Sequence, residues 1–369
     1  MKIAFIDLLG LTYDGSTLEK RGLGGSESAV ILMSKELAKL GFEVTVYNNC
    51  KDSEAKPGVY NGVTYVNYTD FDNEVHDIVI ASRSVKPFFN GNQYVNMCLK
   101  AKHRVLWMHD TFCEGDEHIE ALIQQKYITE IFTLSDFHTN YITNCNHGVR
   151  RNYEVLKPYI WQTRNGAVQW IDEVDVTQKD RNLFVYNASA TKGLIPLLKT
   201  IWPEVKKQIP QARLKCIGGY YRFREGAEPD AQEKTVQELM QDPKLKELDV
   251  EFTGVIPQRE IAEILAKANF MLYPTDFPET FGISSLESLL YRTPIITSRF
   301  GALEETAIDS ACYKIDYSAV PNSLFPNINA EQQAKRYIET TVNAYNNTYL
   351  HQQKQYSCDI VKDIAGWDT

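Results

Sequence analysis

Short apolar runs rich in β-branched and aromatic residues alternate along this chain with longer stretches whose apolar residues recur every three to four positions. Residues 2–7 (KIAFID) predict a buried strand, followed by a loop that ends in Gly22-Leu23-Gly24-Gly25-Ser26. Val30, Met33, Leu37 and Leu40 then fall at helical spacing on one face, and Gly41 is a natural stop. Further strands are predicted over 43–47, 77–81, 104–108 and 130–134. The pattern restarts near residue 182, with strands over 182–186, 213–217, 251–253, 270–273 and 294–297. Between them lie helices over 194–209, kinked by Pro203, and over 259–268 and 284–292, with a polar stretch at 222–235.

This alternation predicts an α/β chain of two Rossmann-like domains facing across a cleft, each a parallel sheet covered on both faces. The acidic segment 166–181 interrupts it and reads as the linker. The expected domains are 1–165, 166–345 and a C-terminal helical segment over 346–369 that crosses back toward the first domain. In the stretch from Asn329 onward, Ile338, Val342, Tyr345 and Tyr349 predict one buried helical stripe. In such folds ligands sit at the carboxyl ends of the strands.

The chain has 369 residues, enough for two domains, with 43% apolar and 24% charged residues. The net charge of −9 argues against nucleic acid as a partner, because a basic face is needed to release its counterions. No apolar run reaches the roughly 18–20 residues that span a bilayer, and Asp7 breaks the N-terminal run, so a cytoplasmic protein is expected. Seven scattered cysteines without a CxxC pair read as reduced thiols, not as a disulfide frame or zinc site.

The segment Pro278-Glu279-Thr280-Phe281-Gly282-Ile283-Ser284-Ser285-Leu286-Glu287 follows an apolar strand and opens a helix. A helix start offers unpaired backbone N–H groups and a positive dipole end, which suit phosphates. Glu279 precedes those donors and Glu287 lies one turn beyond them; a carboxylate can accept two hydrogen bonds from a vicinal diol. Two glutamates with seven residues between them, and Phe-Gly after the first, resemble the signature of retaining glycosyltransferase family 4, whose fold is GT-B. Other segments over about residues 3–300 fall in the same order.

The resemblance implies a hexosyltransferase using a UDP- or GDP-sugar, retaining the anomeric configuration and acting on a hydroxyl of a glycan or glycolipid. It implies His109, Lys192 and Glu279 as catalytic residues: His109 beside the donor sugar, Lys192 on the diphosphate and Glu279 on the sugar hydroxyls. Gly24, Gly25, Val255, Thr280, Phe281, Gly282, Ile283, Ser284 and Glu287 are implied as donor-binding, with Gly24-Gly25 near the diphosphate, Val255 near the base and Glu287 on the ribose. Asn187 stands where many members carry an arginine, leaving the phosphate site one charge short unless Arg222 or Arg224 supplies it. No cofactor and no metal are expected, although Asp70-Phe71-Asp72 is a DxD of the kind that holds a divalent ion in a different transferase fold; here it reads as surface. Members acting on lipid-linked glycans add peripheral contact with the cytoplasmic membrane face as a further expectation. Two rivals remain. One is a non-catalytic nucleotide-sugar or glycan binder of the same fold. The other is a Rossmann-type epimerase or oxidoreductase, which would need a complete GxGxxG after the first strand, absent here, and usually a Tyr-x-x-x-Lys, to which the C-terminal helix comes nearest at Tyr349 and Gln353.

Overall fold

The computed structural model describes residues 1–367 except 53, 72, 73, 90, 91, 145–152, 168, 169, 171, 220–229 and 317–329. The chain divides into two compact units, residues 1–165 and 166–367. The first is built on eight strands: β1 (Lys2–Asp7), β2 (Glu43–Asn48), β3 (Gly58–Tyr60), β4 (Val63–Asn67), β5 (Ile78–Ser82), β6 (His103–Trp107), β7 (Glu130–Thr133) and β8 (Ile160–Gln162). Their order is β3-β4-β2-β1-β5-β6-β7-β8, parallel throughout except for β3 against β4. The second unit has six parallel strands: β9 (Asp180–Ser189), β10 (Arg213–Gly219), β11 (Val250–Gly254), β12 (Ala268–Tyr273), β13 (Ile295–Ser298) and β14 (Cys312–Ile315). They run β11-β10-β9-β12-β13-β14. All six residues of β12 are buried, as a central strand covered on both faces requires. Phe270, Met271 and Leu272 there each supply roughly 1.5–3 kcal/mol of burial.

In both sheets the first strand lies between its two successors, β2 and β5 beside β1, and β10 and β12 beside β9. Crossovers leave in opposite directions from that strand, so a crevice opens where its carboxyl end meets β5 or β12. Each of these two points holds an ionic cluster.

Local departures from the expected elements have identifiable causes. The hairpin β3–β4 turns on Asn61 and Gly62, both at positive φ (51° and 82°), the conformation a two-residue hairpin turn needs. The helix expected over 194–209 is segmented: a turn at Leu194–Pro196, a π turn at Leu197–Ile201 and an α-helix at Trp202–Gln208. Pro203 lacks the N–H that would close the regular ladder, and the backbone widens ahead of it. The helix Gly25–Lys39 buries Glu27, Ser28, Ala29, Val30, Ile31 and Ser34; of the expected stripe Val30 is buried, Met33 and Leu37 are half-buried and Leu40 is exposed. The C-terminal stripe is also corrected. The helix Ala330–Asn346 buries Ala334, Tyr337, Thr341, Ala344 and Tyr345, whereas Ile338 and Val342 are half-buried. Asn347 then breaks the helix and caps the next one, Thr348–Ser357, by accepting from Leu350 N, so Tyr349 is exposed.

The segment after 346 packs on the second unit. His351 Nε2 lies 2.9 Å from Asn269 Oδ1 and its ring stacks on Phe270, while Arg292 grips Asp359 with two bonds of 2.8 and 2.6 Å. Among the described residues no helix is long and apolar enough to cross a membrane. Of the seven cysteines, the six described are buried free thiols and Cys145 lies outside the described residues.

At the β1/β5 crevice of the first unit, Arg83 Nη2 lies 3.0 Å from both Asp7 Oδ1 and Glu27 Oε1, and Tyr13 donates to Asp7 Oδ2 at 3.0 Å. Leu11 N also donates to Glu27 Oε1. One guanidinium therefore ties the end of β1, the loop after it and the first turn of the following helix. With Asp7 and Glu27 both about 1% exposed, losing the cation strands two buried carboxylates. Arg83→Met is expected to cost roughly 3–5 kcal/mol by urea unfolding, largely recovered when Asp7→Asn and Glu27→Gln are added. A loss below about 1 kcal/mol would show the cluster to be mere surface pairing.

Candidate active site

The site is built at the carboxyl ends of β9 and β12. β12 ends in Tyr273, whose hydroxyl donates to Glu279 Oε1 in a short hydrogen bond. The same oxygen meets Lys192 Nζ at 2.7 Å, and that ammonium also sits 4.6 Å from the centre of the Phe277 ring. Lys192 reaches it from the turn after β9. Gly193 there has φ +98°, and a Cβ at this position would collide with the Pro274 carbonyl. The strand ends can approach this closely only because residue 193 is glycine.

The Glu279 backbone is held just as tightly. Its carbonyl accepts from Ala302 N at 2.8 Å, and its N–H donates to Phe277 O at 2.8 Å. A Cβ on Gly301, itself at φ +61°, would stand 2.9 Å from both Glu279 N and O. Glu279 is thus a buried carboxylate (5% exposed) on a rigid turn, with a half-buried cation on one oxygen.

The helix Ile283–Leu290 starts immediately after, capped by Gly282 in the left-handed region at φ +84°. Ser285 N bonds Gly282 O, which leaves Ile283 and Ser284 as the first-turn donors. Ser285 Oγ is buried there without a hydrogen-bond partner. Thr280 and Phe281 are buried, and Phe281 O accepts from Thr306 Oγ1 at 2.6 Å. Glu287, one turn in, is 6% exposed and accepts from Asn187 Nδ2 at 3.4 Å. Burial pushes its carboxyl up to about 7, opposed in part by the Asn187 amide. Lys192, Glu279, the helix start, Glu287 and Asn187 therefore share one end of one sheet. Val255 follows β11 at the same end, 43% exposed. Arg222 and Arg224, the candidates for the missing phosphate charge, lie outside the described residues.

The first unit carries the other candidates. Gly24 is the N-cap of the helix Gly25–Lys39, with no side-chain cap on its first-turn donors, and Gly25 is exposed. His109 follows β6, 5% exposed, its ring 4.3 Å from that of Trp107. Burial, with Arg83 and His138 adding to it, holds His109 well below the usual imidazole range, so it is neutral at pH 7. His138 accepts from Leu134 N through Nδ1 and so donates through Nε2 to Asp110 O at 2.9 Å, fixing the turn that carries His109. Asp70 of the DxD pairs with Lys51 at 3.5 Å on the surface, and Asp72 lies outside the described residues.

Reading the sequence missed Tyr273, Gly301, Arg83 and His138, which touch or hold the candidates. Gly301 had a weak signal in its place after an apolar strand. Arg83 and the His138 bond to Asp110 had none, because those partners are far away in the chain, and Tyr273 read only as the end of a buried strand.

Structures similar over the whole chain include a glycosyltransferase from Rickettsia africae (12% identical, covering 100% of this chain and 95% of that one, TM-score 0.63). Sucrose-phosphate synthase from Thermosynechococcus elongatus is 17% identical over 100% and 96%, at 0.64. The Anabaena Alr3699/HepE protein, solved with UDP and glucose, is 13% identical over 99% and 97%, at 0.61. This likeness shows the fold, the two-unit α/β fold of GT-B glycosyltransferases. Residues 180–338 match the family described as glycosyl transferases group 1. That match takes in β9 to β14 and every second-unit candidate above. A curated relative, the GDP-mannose-dependent alpha-(1-6)-phosphatidylinositol dimannoside mannosyltransferase of Mycobacterium tuberculosis, is 46% identical over 68 residues, 18% of this chain and 18% of the relative.

The Glu287 environment gives a signed prediction. The folded chain keeps a proton that an unfolded carboxyl, at its ordinary value of 4.5, releases. Its contribution to stability is full below about pH 4.5 and is lost as pH rises through about 7, on the order of 3 kcal/mol in all. Glu287→Gln, which cannot ionise, should therefore gain stability relative to the parent between pH 5 and pH 8 in ligand-free unfolding. A difference that stays flat across that range would contradict the buried environment.

Proposed function

We propose that the chain is a retaining hexosyltransferase that moves a sugar from a UDP- or GDP-sugar to a hydroxyl of a glycan or glycolipid acceptor, without a metal. The reading is carried by one observation, the Lys192–Glu279 pair beside the start of the helix that carries Glu287. The family match over residues 180–338 and the full-length likeness to sugar-transferring enzymes support it. So does the UDP and glucose in the Anabaena relative.

In this reading the bond between the anomeric carbon and the diphosphate oxygen breaks, and the acceptor oxygen bonds to that carbon on the same face. The acceptor's proton passes to the departing diphosphate. Positive charge grows on the sugar ring and negative charge on the leaving group. Lys192 and the Ile283 and Ser284 N–H groups meet the negative charge; the N–H groups are preformed dipoles that need no reorganisation, while Lys192 turns from Glu279 toward the diphosphate. Glu279 holds the sugar hydroxyls through the oxygen that Tyr273 and Lys192 leave open. Glu287 holds the ribose diol, and the exposed turn at Val255 lies toward the base. In the first unit, His109 and the Gly24-Gly25 turn remain the proposed site residues. His109, being neutral, serves as a hydrogen-bonding group and not as a cation. A glycolipid acceptor would bring the chain to the cytoplasmic face of a membrane.

The test is a set of melting curves with EDTA present and UDP, GDP, ADP, CMP or NAD added singly. A ligand held only by the folded chain stabilises it by about 2.7 kcal/mol at 100 times its dissociation constant. UDP or GDP should shift the transition and NAD should not. With the matching sugar donor, Glu279→Ala should lose at least about a hundredfold in turnover while still binding the nucleoside diphosphate. A shift with NAD alone, or full turnover in Glu279→Ala, contradicts the proposal. Tight nucleotide binding without turnover for any sugar donor would favour the non-catalytic reading.

A further inference from the structure

Asn187 is the residue the resemblance leaves unexplained, since an amide supplies no charge to a diphosphate. It lies near the carboxyl end of β9, paired in register with Ile217 of β10, and is 7% exposed. Its Nδ2 donates across to Glu287 Oε2 at 3.4 Å. Glu287 lies inside the helix Ile283–Leu290 and is equally enclosed. A buried carboxyl that lost this donor would keep its proton to higher pH and would be free to rotate.

We infer that Asn187 is a positioning residue for the nucleoside end of the ligand, orienting Glu287 and not binding phosphate itself. The inference rests on the donor-site reading above and adds a division of labour to it. A vicinal diol needs two acceptor sites presented together. The amide on Oε2 fixes the carboxylate plane, so Oε1 and the remaining lone pair of Oε2 face the diol as a unit. Charge on the diphosphate then falls to Lys192 and the helix start. The nucleoside carries a larger share of the affinity than it would with an arginine at residue 187.

Calorimetric titration separates the two roles. Uridine, UDP, guanosine and GDP are titrated into the parent, Asn187→Leu, Asn187→Ser, Lys192→Met, Glu287→Gln and Asn187→Leu/Glu287→Gln. Ligand-free melting curves for each variant establish that it is folded. For whichever base binds, both Asn187 variants should lose about tenfold, and by the same factor for nucleoside and nucleoside diphosphate. Lys192→Met should weaken the diphosphate alone. In the Glu287→Gln background Asn187→Leu should add little, because its effect is already spent. The pH at which nucleoside binding reaches half its alkaline plateau should also rise in Asn187→Leu, a readout that general loosening of the fold would not move. A loss confined to the diphosphate makes Asn187 a phosphate ligand and overturns the inference. Full additivity with Glu287→Gln overturns it as well. A parent chain that binds none of the four ligands while Asn187→Leu is folded brings down the donor-site reading itself, a result distinct from either.

Discussion

The Glu279 carboxylate has to be held in one place, beside a cation, at the end of a sheet where the chain has little room. Two groups converge on its Oε1, the Tyr273 hydroxyl and the Lys192 ammonium, while its backbone is wedged against Gly301 and hydrogen-bonded to Ala302. Each contact comes from a different stretch of the second unit. The residues after β9, β12 and β13 must therefore all arrive together. Glycines at 193 and 301 are the points where a side chain would keep them apart. Remaining features of the site depend on that close approach: the left-handed Gly282, the helix that starts from it, and Glu287 buried one turn later.

Both units place an ionic cluster at the switch point of a doubly wound sheet, but the clusters differ in kind. Arg83, Asp7 and Glu27 are almost wholly enclosed and link strand, loop and helix as a structural tie. Lys192 keeps about a quarter of its side chain exposed beside a buried carboxylate. A partly exposed cation on a buried acid can exchange its partner for an anionic ligand at modest cost, whereas the enclosed tie cannot. The same crevice geometry thus gives a fixed joint in one unit and an adaptable charge in the other.

Much of the architecture was legible in the pattern of apolar runs, because strands buried on both faces announce themselves as short, nearly continuous apolar stretches. β12, rich in aromatic and long apolar side chains, and β13, with two isoleucines, are examples. Elements that depend on tertiary surroundings were less legible. On the helix Gly25–Lys39 the first turn is buried at Glu27 because Arg83 meets it there, something apolar periodicity cannot register. The hairpin at Asn61-Gly62 did carry a local signal in its turn residues, and the break at Asn347 carried one in its cap. In the candidate site the glutamates and the helix start were readable as a motif. Gly301 and the Asn187–Glu287 bond were not, since they are meetings of residues remote in sequence, and the Tyr273 hydroxyl, though near Glu279 in the chain, was hidden in a strand that reads as plain core.

The nucleoside diphosphate, on the proposed reading, is held at the carboxyl ends of β9 and β12. Amide hydrogen exchange read by mass spectrometry, with and without saturating UDP or GDP, tests this most directly. Slowed exchange is predicted in peptides covering residues 187–193 and 279–290, with the Ile283 and Ser284 amides among those protected. Protection absent from both peptides under conditions where the nucleotide is bound would contradict it.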